Sequence, residues 1–305
     1  MIDFTVAICT YNGEKRVPDV LDRLKQQIDT EDINWEIIVI DNNSNDNTAK
    51  VIKEYQNNWN FSNPIKYYLE TRQGLAYARR CAIKNCQSEL IGFLDDDNLP
   101  SQNWVKEAYI FGKQHPNAGA YGGQIHGLFE VEPPPGFERI ARYFALIKGD
   151  KTYCYNEKYK DTRKKMYPPG AGIVIRKKAW LESVPEEPLL PQTNEDLEML
   201  SQIFNQGWEI WFNHLMEIEH FIPQSRFEPE YLKKFFRQNG LCRYQVRMFN
   251  YSNWQKPFIT ILYFINDLKK IIVFYIKNKK NLKKDVVCMG EMELLRHILM
   301  SPFSY

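Results

Sequence analysis

Short apolar, β-branched-rich runs at residues 4–9, 36–40, 65–69 and 90–94 alternate with stretches whose apolar residues recur at helical spacing. The first such stretch has Pro18 in its first turn and Val17, Val20, Leu21, Leu24 and Ile28 on one face. A second ends near Gln56, and a third follows Gly74 over 75–85. Strands separated by helices pair in parallel through right-handed crossovers rather than as hairpins. The expected fold class is therefore α/β: a Rossmann-like, mostly parallel central sheet flanked by helices. No G-x-G-x-x-G follows the first strand, which disfavours a dinucleotide site.

The fourth apolar run, Ile91-Gly92-Phe93-Leu94, stops at Asp95-Asp96-Asp97-Asn98-Leu99-Pro100. Three adjacent carboxylates at the carboxyl end of a buried strand repel one another, and a cation relieves that cost. Ligands of open α/β sheets bind along that edge, and a hard divalent ion takes oxygen ligands and substrate phosphates together. The triplet reads as a metal–diphosphate site, against the alternative of a solvated acidic turn. If the extended geometry continues, Asp95 and Asp97 share one face.

Beyond the triplet the pattern predicts helices at 103–114, 177–183 and 195–206, the last ended by Gly207. Strands are expected at 118–125, 173–175 and 209–212, with 216–221 as an edge strand. Residues 137–165 resist assignment, and 187–194 is a Pro-containing loop. From 229 onward the chain reads as helical, over 229–250, 257–277 and 290–300.

Charge separates the two regions. Residues 226–305 hold 15 basic and 6 acidic side chains, a net +9 that leaves −7 on 1–225. Residues 1–225 read as the catalytic domain and 226–305 as a basic, mostly helical extension. Asn266, Asp267, Lys269 and Lys270 interrupt the apolar segment 257–277, which is then too broken to span a bilayer. It fits either a peripheral membrane contact, with Lys277, Lys279, Lys280, Lys283 and Lys284 beside anionic headgroups, or a packing helix with a solvated basic end. No nucleic-acid motif accompanies the charge. The six cysteines contain no C-x-x-C pair, and no signal peptide precedes the first strand, so buried free thiols and a cytoplasmic location are expected, at most at the inner face of the membrane.

Five segments, in order, resemble family 2 glycosyltransferases: Val6-Ala7-Ile8-Cys9-Thr10-Tyr11-Asn12, the run Val39 to Thr48, Gly74-Leu75-Ala76-Tyr77-Ala78-Arg79, Asp95-Asp96-Asp97 at the Asp-x-Asp position, and Glu195-Asp196 at the Glu-Asp position. A closer likeness is to the cyanobacterial hormogonium (exopolysaccharide) transferases. The resemblance covers about 4–225. It implies the GT-A fold and an inverting, metal-dependent hexosyl transfer from a nucleotide-diphosphate donor, of UDP type, to a glycan or lipid-linked acceptor in polysaccharide synthesis.

The same resemblance implies roles. Thr10, Tyr11 and Asn12 would wall the nucleotide pocket, Asp41 would accept the uracil N–H, and Arg79, Asp95 and Asp96 would complete the donor site. Asp97, with Asp95 or Asp96, would hold Mg²⁺ or Mn²⁺, and His220 is a further candidate ligand. Asp196 would be the general base, beside Glu195 and the acceptor-side glycines Gly170 and Gly172. Glu195-Asp196 equally suits a helix N-terminus. Two other functions fit less well. A nucleotidyltransferase would want a Gly-rich basic loop after the first strand, and Thr10 to Arg16 has one Gly with only Lys15 and Arg16. A non-catalytic glycan-binding scaffold would not need both Asp97 and Asp196.

Overall fold

The computed structural model describes residues 1–158, 167–188, 195–248, 251–282 and 284–304. The chain forms two compact units, Met1–Leu128 with Ala145–Phe221, and Phe129–Phe144 with Ile222–Tyr305.

The first unit is built on one mixed sheet. In chain order its elements are β1 (Phe4–Thr10), α1 (Val17–Lys25), β2 (Trp35–Asp41), α2 (Thr48–Asn57), β3 (Ile65–Leu69), α3 (Leu75–Asn85), β4 (Leu90–Asp95), β5 (Asn98–Pro100), α4 (Trp104–Gln114), β6 (Ala118–Phe129), β7 (Tyr153–Cys154), α5 (Tyr155–Lys158), β8 (Val174–Arg176), α6 (Lys177–Ser183), α7 (Glu195–Asn205) and β9 (Glu209–Ile222). The strand order is β3-β2-β1-β4-β8-β6-β9-β5, with β7 also on β9. Pairing is parallel from β3 to β4, where helices connect the strands, and antiparallel at β4–β8 and β6–β8.

Every residue of β1 and β2 is buried. Strands covered on both faces lose the apolar/polar alternation and read as continuous apolar runs. The side chains still alternate. Phe4, Val6 and Ile8 enter the core under α1 and α4, and Ala7 and Cys9 enter the core under α3, α6 and α7. Thr5 points to the second face, where its hydroxyl donates to Glu36 and accepts from Ser88.

Two local expectations change. The segment 216–221 is not an edge strand. It continues 209–212 as the 14-residue β9, which lies between β6 and β5. The polar Asn213-His214 does not break it, because Ile210 and Phe212 before the interruption and Met216, Ile218 and Ile222 after it are buried. Ile28 lies past the end of α1 and is exposed.

The second unit contains α8 (Pro229–Leu241), α9 (Arg243–Met248), α10 (Lys256–Asn278) and α11 (Val286–Met300). The predicted helix 229–250 is two helices, and its last two residues lie outside the described ones, as do Lys283 and residues 189–194 of the Pro-containing loop. Phe137 and Phe144, from the stretch the sequence left unassigned, pack around Phe227 with ring centroids 5.4 and 6.3 Å away. Arg139 pairs with Asp285 and Glu291, and Asp285 caps α11 by accepting from the Val287 and Cys288 amides. These contacts bring 129–144 into the C-terminal unit. Asp267, the one fully buried residue of α10, is held bidentately by Arg247, whose guanidinium also stacks 4.3 Å from the Tyr263 ring. All six cysteines are free.

Candidate active site

Three parallel strands deliver their carboxyl ends to one edge. Thr10 of β1 is in register with Asp41 of β2, and Cys9 with Asp95 of β4. The loops after these strands carry most of the residues singled out from the sequence.

The loop after β1 is stitched to the loop after β2. The Asn12 amide donates to Ser44 Oγ at 2.9 Å, the Asn45 amide to Asn12 Oδ1 at 2.8 Å, and the Gly13 amide to Thr48 Oγ1 at 2.8 Å. The Glu14 amide donates to Asp46, and the Asn47 amide to Glu14. Asn12 and Asn43 both adopt positive φ, a conformation that short amide side chains tolerate. Tyr11 projects from this loop and is 42% exposed. Asp41 is buried, and its two oxygens accept from the Ser44 amide at 2.9 Å and the Tyr67 hydroxyl at 2.8 Å. Burial, together with that bond to a carboxylate, pushes the Tyr67 hydroxyl up to about 12.

At the acidic triplet the strand stops at Asp95, and Asp96-Asp97 form a turn into β5. The extended geometry that would put Asp95 and Asp97 on one face is therefore absent. Asn98 holds the turn, accepting from the Asp95 amide through Oδ1 and donating from Nδ2 to Asp97 Oδ1 at 2.9 Å. Each carboxylate then has separate partners. Asp96 accepts from Thr10 Oγ1 at 2.6 Å, from Arg16 Nε at 2.8 Å and from Arg16 Nη2 at 2.9 Å. Asp97 Oδ2 lies 3.4 Å from His220 Nε2, because β9 pairs antiparallel with β5 and sets His220 opposite Asn98. Asp95 faces the buried Arg79. Burial pushes the Asp95 carboxyl up to about 7; Arg79 opposes that rise and the neighbouring Asp97, Asp96 and Glu195 add to it. The three carboxylates thus have different neighbours: Arg79 faces Asp95, Arg16 and Thr10 hold Asp96, and His220 and Asn98 adjoin Asp97.

Arg79 ties this edge to the other candidate carboxylates. Its Nη1 lies 3.5 Å from Glu195 Oε1 and its Nη2 donates to the Gly170 carbonyl at 3.4 Å. Burial works against the charge, but Glu195, Asp95 and Asp196 together hold the guanidinium above its ordinary value. Its Nε has no hydrogen-bond partner among the described residues. Burial also raises the Glu195 carboxyl, against Arg79. Asp196, in the first turn of α7, accepts from the Gly170 amide at 3.1 Å and from the Leu197 amide at 2.8 Å. A Cβ on Gly170 would stand 2.8 Å from Arg79 Nη2 and 3.0 Å from the Asp196 Cβ, so only glycine lets the three meet. Gly172, with φ +64°, turns instead toward Ile218.

The predicted residues therefore fall into four groups: Asp41 with Tyr67; Thr10 with Asp96 and Arg16; Asp97 with His220; and Asp95, Arg79, Gly170, Glu195 and Asp196 around one buried guanidinium. Tyr11 and Asn12 belong to the stitched loop, and Gly172 to packing. Sequence reading missed Arg16, Tyr67, Asn98 and Asn42, whose Oδ1 accepts from the Gly74 amide at the start of α3. Asn98 had a signal, as the residue closing an acidic turn. A lone Arg in a loop and a Tyr in an edge strand had none. Among the described residues no three His, Cys, Asp or Glu side chains converge as a metal site on their own.

The model of the family described as glycosyl transferase family 2 matches residues 5–181. The poly(ribitol-phosphate) beta-N-acetylglucosaminyltransferase TarS of Staphylococcus aureus (strain Mu50 / ATCC 700699) is 31% identical over 116 residues, 38% of this chain and 20% of TarS. A dolichyl N-acetyl-alpha-D-glucosaminyl phosphate 3-beta-D-2,3-diacetamido-2,3-dideoxy-beta-D-glucuronosyltransferase of Methanococcus voltae is 32% identical over 130 residues, 41% of this chain and 40% of that protein. The chain thus spans between a fifth and two-fifths of these relatives. Among solved structures, S. aureus TarS 1–349 in complex with UDP aligns with TM-score 0.54 and 16% identity, over all of this chain and 91% of that one. GalNAc-T7 with UDP, GalNAc and Mn²⁺ aligns with TM-score 0.55 and 18% identity, over 78% of this chain and 47% of that one. The fold is the GT-A arrangement, and with more than half of its residues matched by the family model, the chain belongs to glycosyl transferase family 2.

Proposed function

We propose that the protein is an inverting, metal-dependent glycosyltransferase that moves a sugar from a UDP-type donor to a glycan or lipid-linked acceptor in polysaccharide synthesis. The observation that carries this reading is the Asp196 carboxylate, held by the Gly170 amide beside Arg79 and across from the acidic turn. Asp41, at the end of β2, retains acceptor capacity after its bonds to Ser44 and Tyr67 and suits a uracil N–H. Tyr11, exposed on the stitched loop, suits the face of a base. The donor-binding turn would use Asp95 and Asp97. Asp96, held by Thr10 and Arg16, would support it.

Asp97 and His220 offer an oxygen and a nitrogen 3.4 Å apart, a donor set that would suit Mn²⁺ better than Mg²⁺, whose ligands are oxygens. Such an ion would neutralise charge on the leaving diphosphate. UDP in a TarS structure and Mn²⁺ in a GalNAc-T7 structure are what those proteins hold; by likeness they support a nucleotide-sugar donor and a divalent ion for this chain.

In the proposed reaction the acceptor oxygen attacks the anomeric carbon as the bond to the diphosphate breaks, and the acceptor proton passes to Asp196. Both Asp196 oxygens already accept a backbone amide, which fixes the carboxylate before substrate arrives. Arg79 would keep Glu195, Asp95 and Asp196 from repelling one another. Residues 1–225 would carry this chemistry, in the cytoplasm where such donors are made, and 226–305 would serve attachment. Arg16 counts against a nucleotidyltransferase, since its guanidinium is committed to Asp96 rather than offered to a phosphate. The test is Asp196→Asn. Donor binding with Mn²⁺, read by thermal shift, should persist while transfer falls by at least ~10²-fold; full transfer activity would reassign the base.

A further inference from the structure

We propose that the outward face of α10 lies flat on an anionic lipid bilayer. This goes beyond the transfer chemistry and holds whatever the acceptor is.

The helix is apolar on the side it turns to water as well as on the side it packs, where Tyr263, Phe264, Ile271 and Phe274 are half-buried. The centre of its inward face is Asp267, held by Arg247. Its outward stripe is apolar: Phe258, Leu262, Ile265, Ile272 and Ile276 recur at helical spacing and are each half to two-thirds exposed. An apolar stripe of this length facing solvent marks a docking surface. The flanking charge identifies what docks. Asp267 is the only acid in α10 and is turned inward, whereas Lys269, Lys270 and Lys277 are exposed on the helix and Lys279, Lys280 and Lys284 follow it. A basic rim around an apolar stripe matches acyl chains beneath anionic headgroups.

Lys269 decides between a bilayer and a second copy of the chain. It lies within the apolar stripe, between Ile265 and Ile272. Against another α10 its ammonium would be buried with no outward acid to meet it, which is costly. At a bilayer the amine rises to the headgroups while its methylenes remain among the apolar side chains. Trp254, 72% exposed just before the helix, and Tyr275 within it suit the headgroup boundary. Among the described residues no helix is long and apolar enough to cross a membrane, so α10 would lie on the surface rather than through it.

The test is co-sedimentation of the full chain with phosphatidylglycerol–phosphatidylcholine vesicles and with phosphatidylcholine alone, needing neither donor nor turnover. Binding is expected to the anionic vesicles, with a blue shift in emission that disappears in Trp254→Phe. Ile265→Glu with Ile272→Glu should weaken it by tenfold or more (~10-fold), and Lys277→Gln with Lys279→Gln and Lys280→Gln by roughly a hundredfold. The glutamine variant changes only exposed positions and carries the test if the glutamate variant does not fold. Three results would overturn the proposal: no sedimentation with anionic vesicles, equal binding to both vesicles without loss in the glutamine variant, or a concentration-dependent dimer that Ile265→Glu with Ile272→Glu dissociates while vesicles go unbound. Failure on vesicles with intact donor binding would leave the catalytic reading standing.

Discussion

Replacing Arg16 with Met distinguishes a supporting role for Asp96 from a ligand-binding one. Asp96 accepts two bonds from Arg16, at 2.8 and 2.9 Å, and one from Thr10. Hydrogen bonds to a charged group contribute about 1.5–3 kcal/mol each, so the pair taken as fully buried would be worth about 3–6 kcal/mol. The two side chains differ in exposure, at 44% for Arg16 and 10% for Asp96. Solvent screens the guanidinium and can replace it at the carboxylate, which pulls the figure toward the ~1 kcal/mol of an exposed pair. The neighbouring Asp95 and Asp97 keep it from falling that far, because without Arg16 the Asp96 charge stands uncompensated beside them. A loss of about 2 kcal/mol is expected for Arg16→Met and a similar one for Asp96→Asn. The double variant should lose little more than either, a coupling of roughly 1.5 kcal/mol in a double-mutant cycle. Urea denaturation gives the stabilities, and calorimetric titration of UDP with Mn²⁺ gives binding, which should weaken by less than about tenfold, or 1.4 kcal/mol. If Arg16→Met instead leaves stability intact and abolishes nucleotide binding, Arg16 serves the ligand and the account of the turn fails.

Asp97→Asn should remove the Mn²⁺ dependence of UDP binding, and stripping the metal with a chelator should reproduce that in the parent; a titration insensitive to both contradicts the Asp97–His220 site. Gly170→Ala should cut kcat by about 10²-fold with UDP affinity held, since the new Cβ would push Arg79 and Asp196 out of position; steady-state kinetics would show an unchanged kcat if that packing is unimportant. Asp267→Leu should cost about 3–5 kcal/mol by leaving Arg247 unpaired, and adding Arg247→Met should recover most of it, as read by thermal or urea unfolding; equal stability of the single and double variants would show that the pair is not what anchors α10.

Much of the first unit was legible because local and tertiary preferences agree there. Ile65–Leu69, Leu75–Asn85 and Lys177–Ser183 begin and end where pattern and punctuation put them. The acidic turn was legible as a site, but its internal division was not. Charge spacing says that three carboxylates repel; it does not say that their neighbours are Arg16, Arg79 and His220, which are 80, 16 and 123 residues distant from Asp96, Asp95 and Asp97. β5 escaped notice because Asn98-Leu99-Pro100 reads as a turn, and only pairing with β9 makes it a strand. Which face of α10 stays exposed was also hidden. A moment calculated from sequence finds the two faces but not which one the rest of the fold covers.

The stitching of the two loops after β1 and β2 has a kinetic consequence. Amides of Asn12, Gly13, Glu14, Asn45 and Asn47 belong to no helix or strand, yet each is bonded across a gap of more than thirty residues. A hairpin of ordinary loop would exchange its amide protons residue by residue. These cannot open singly, because releasing one segment releases its partner. Their deuterium uptake should therefore be slow and concerted, and the edge of the sheet would meet an incoming nucleotide already ordered, with little conformational entropy left to lose.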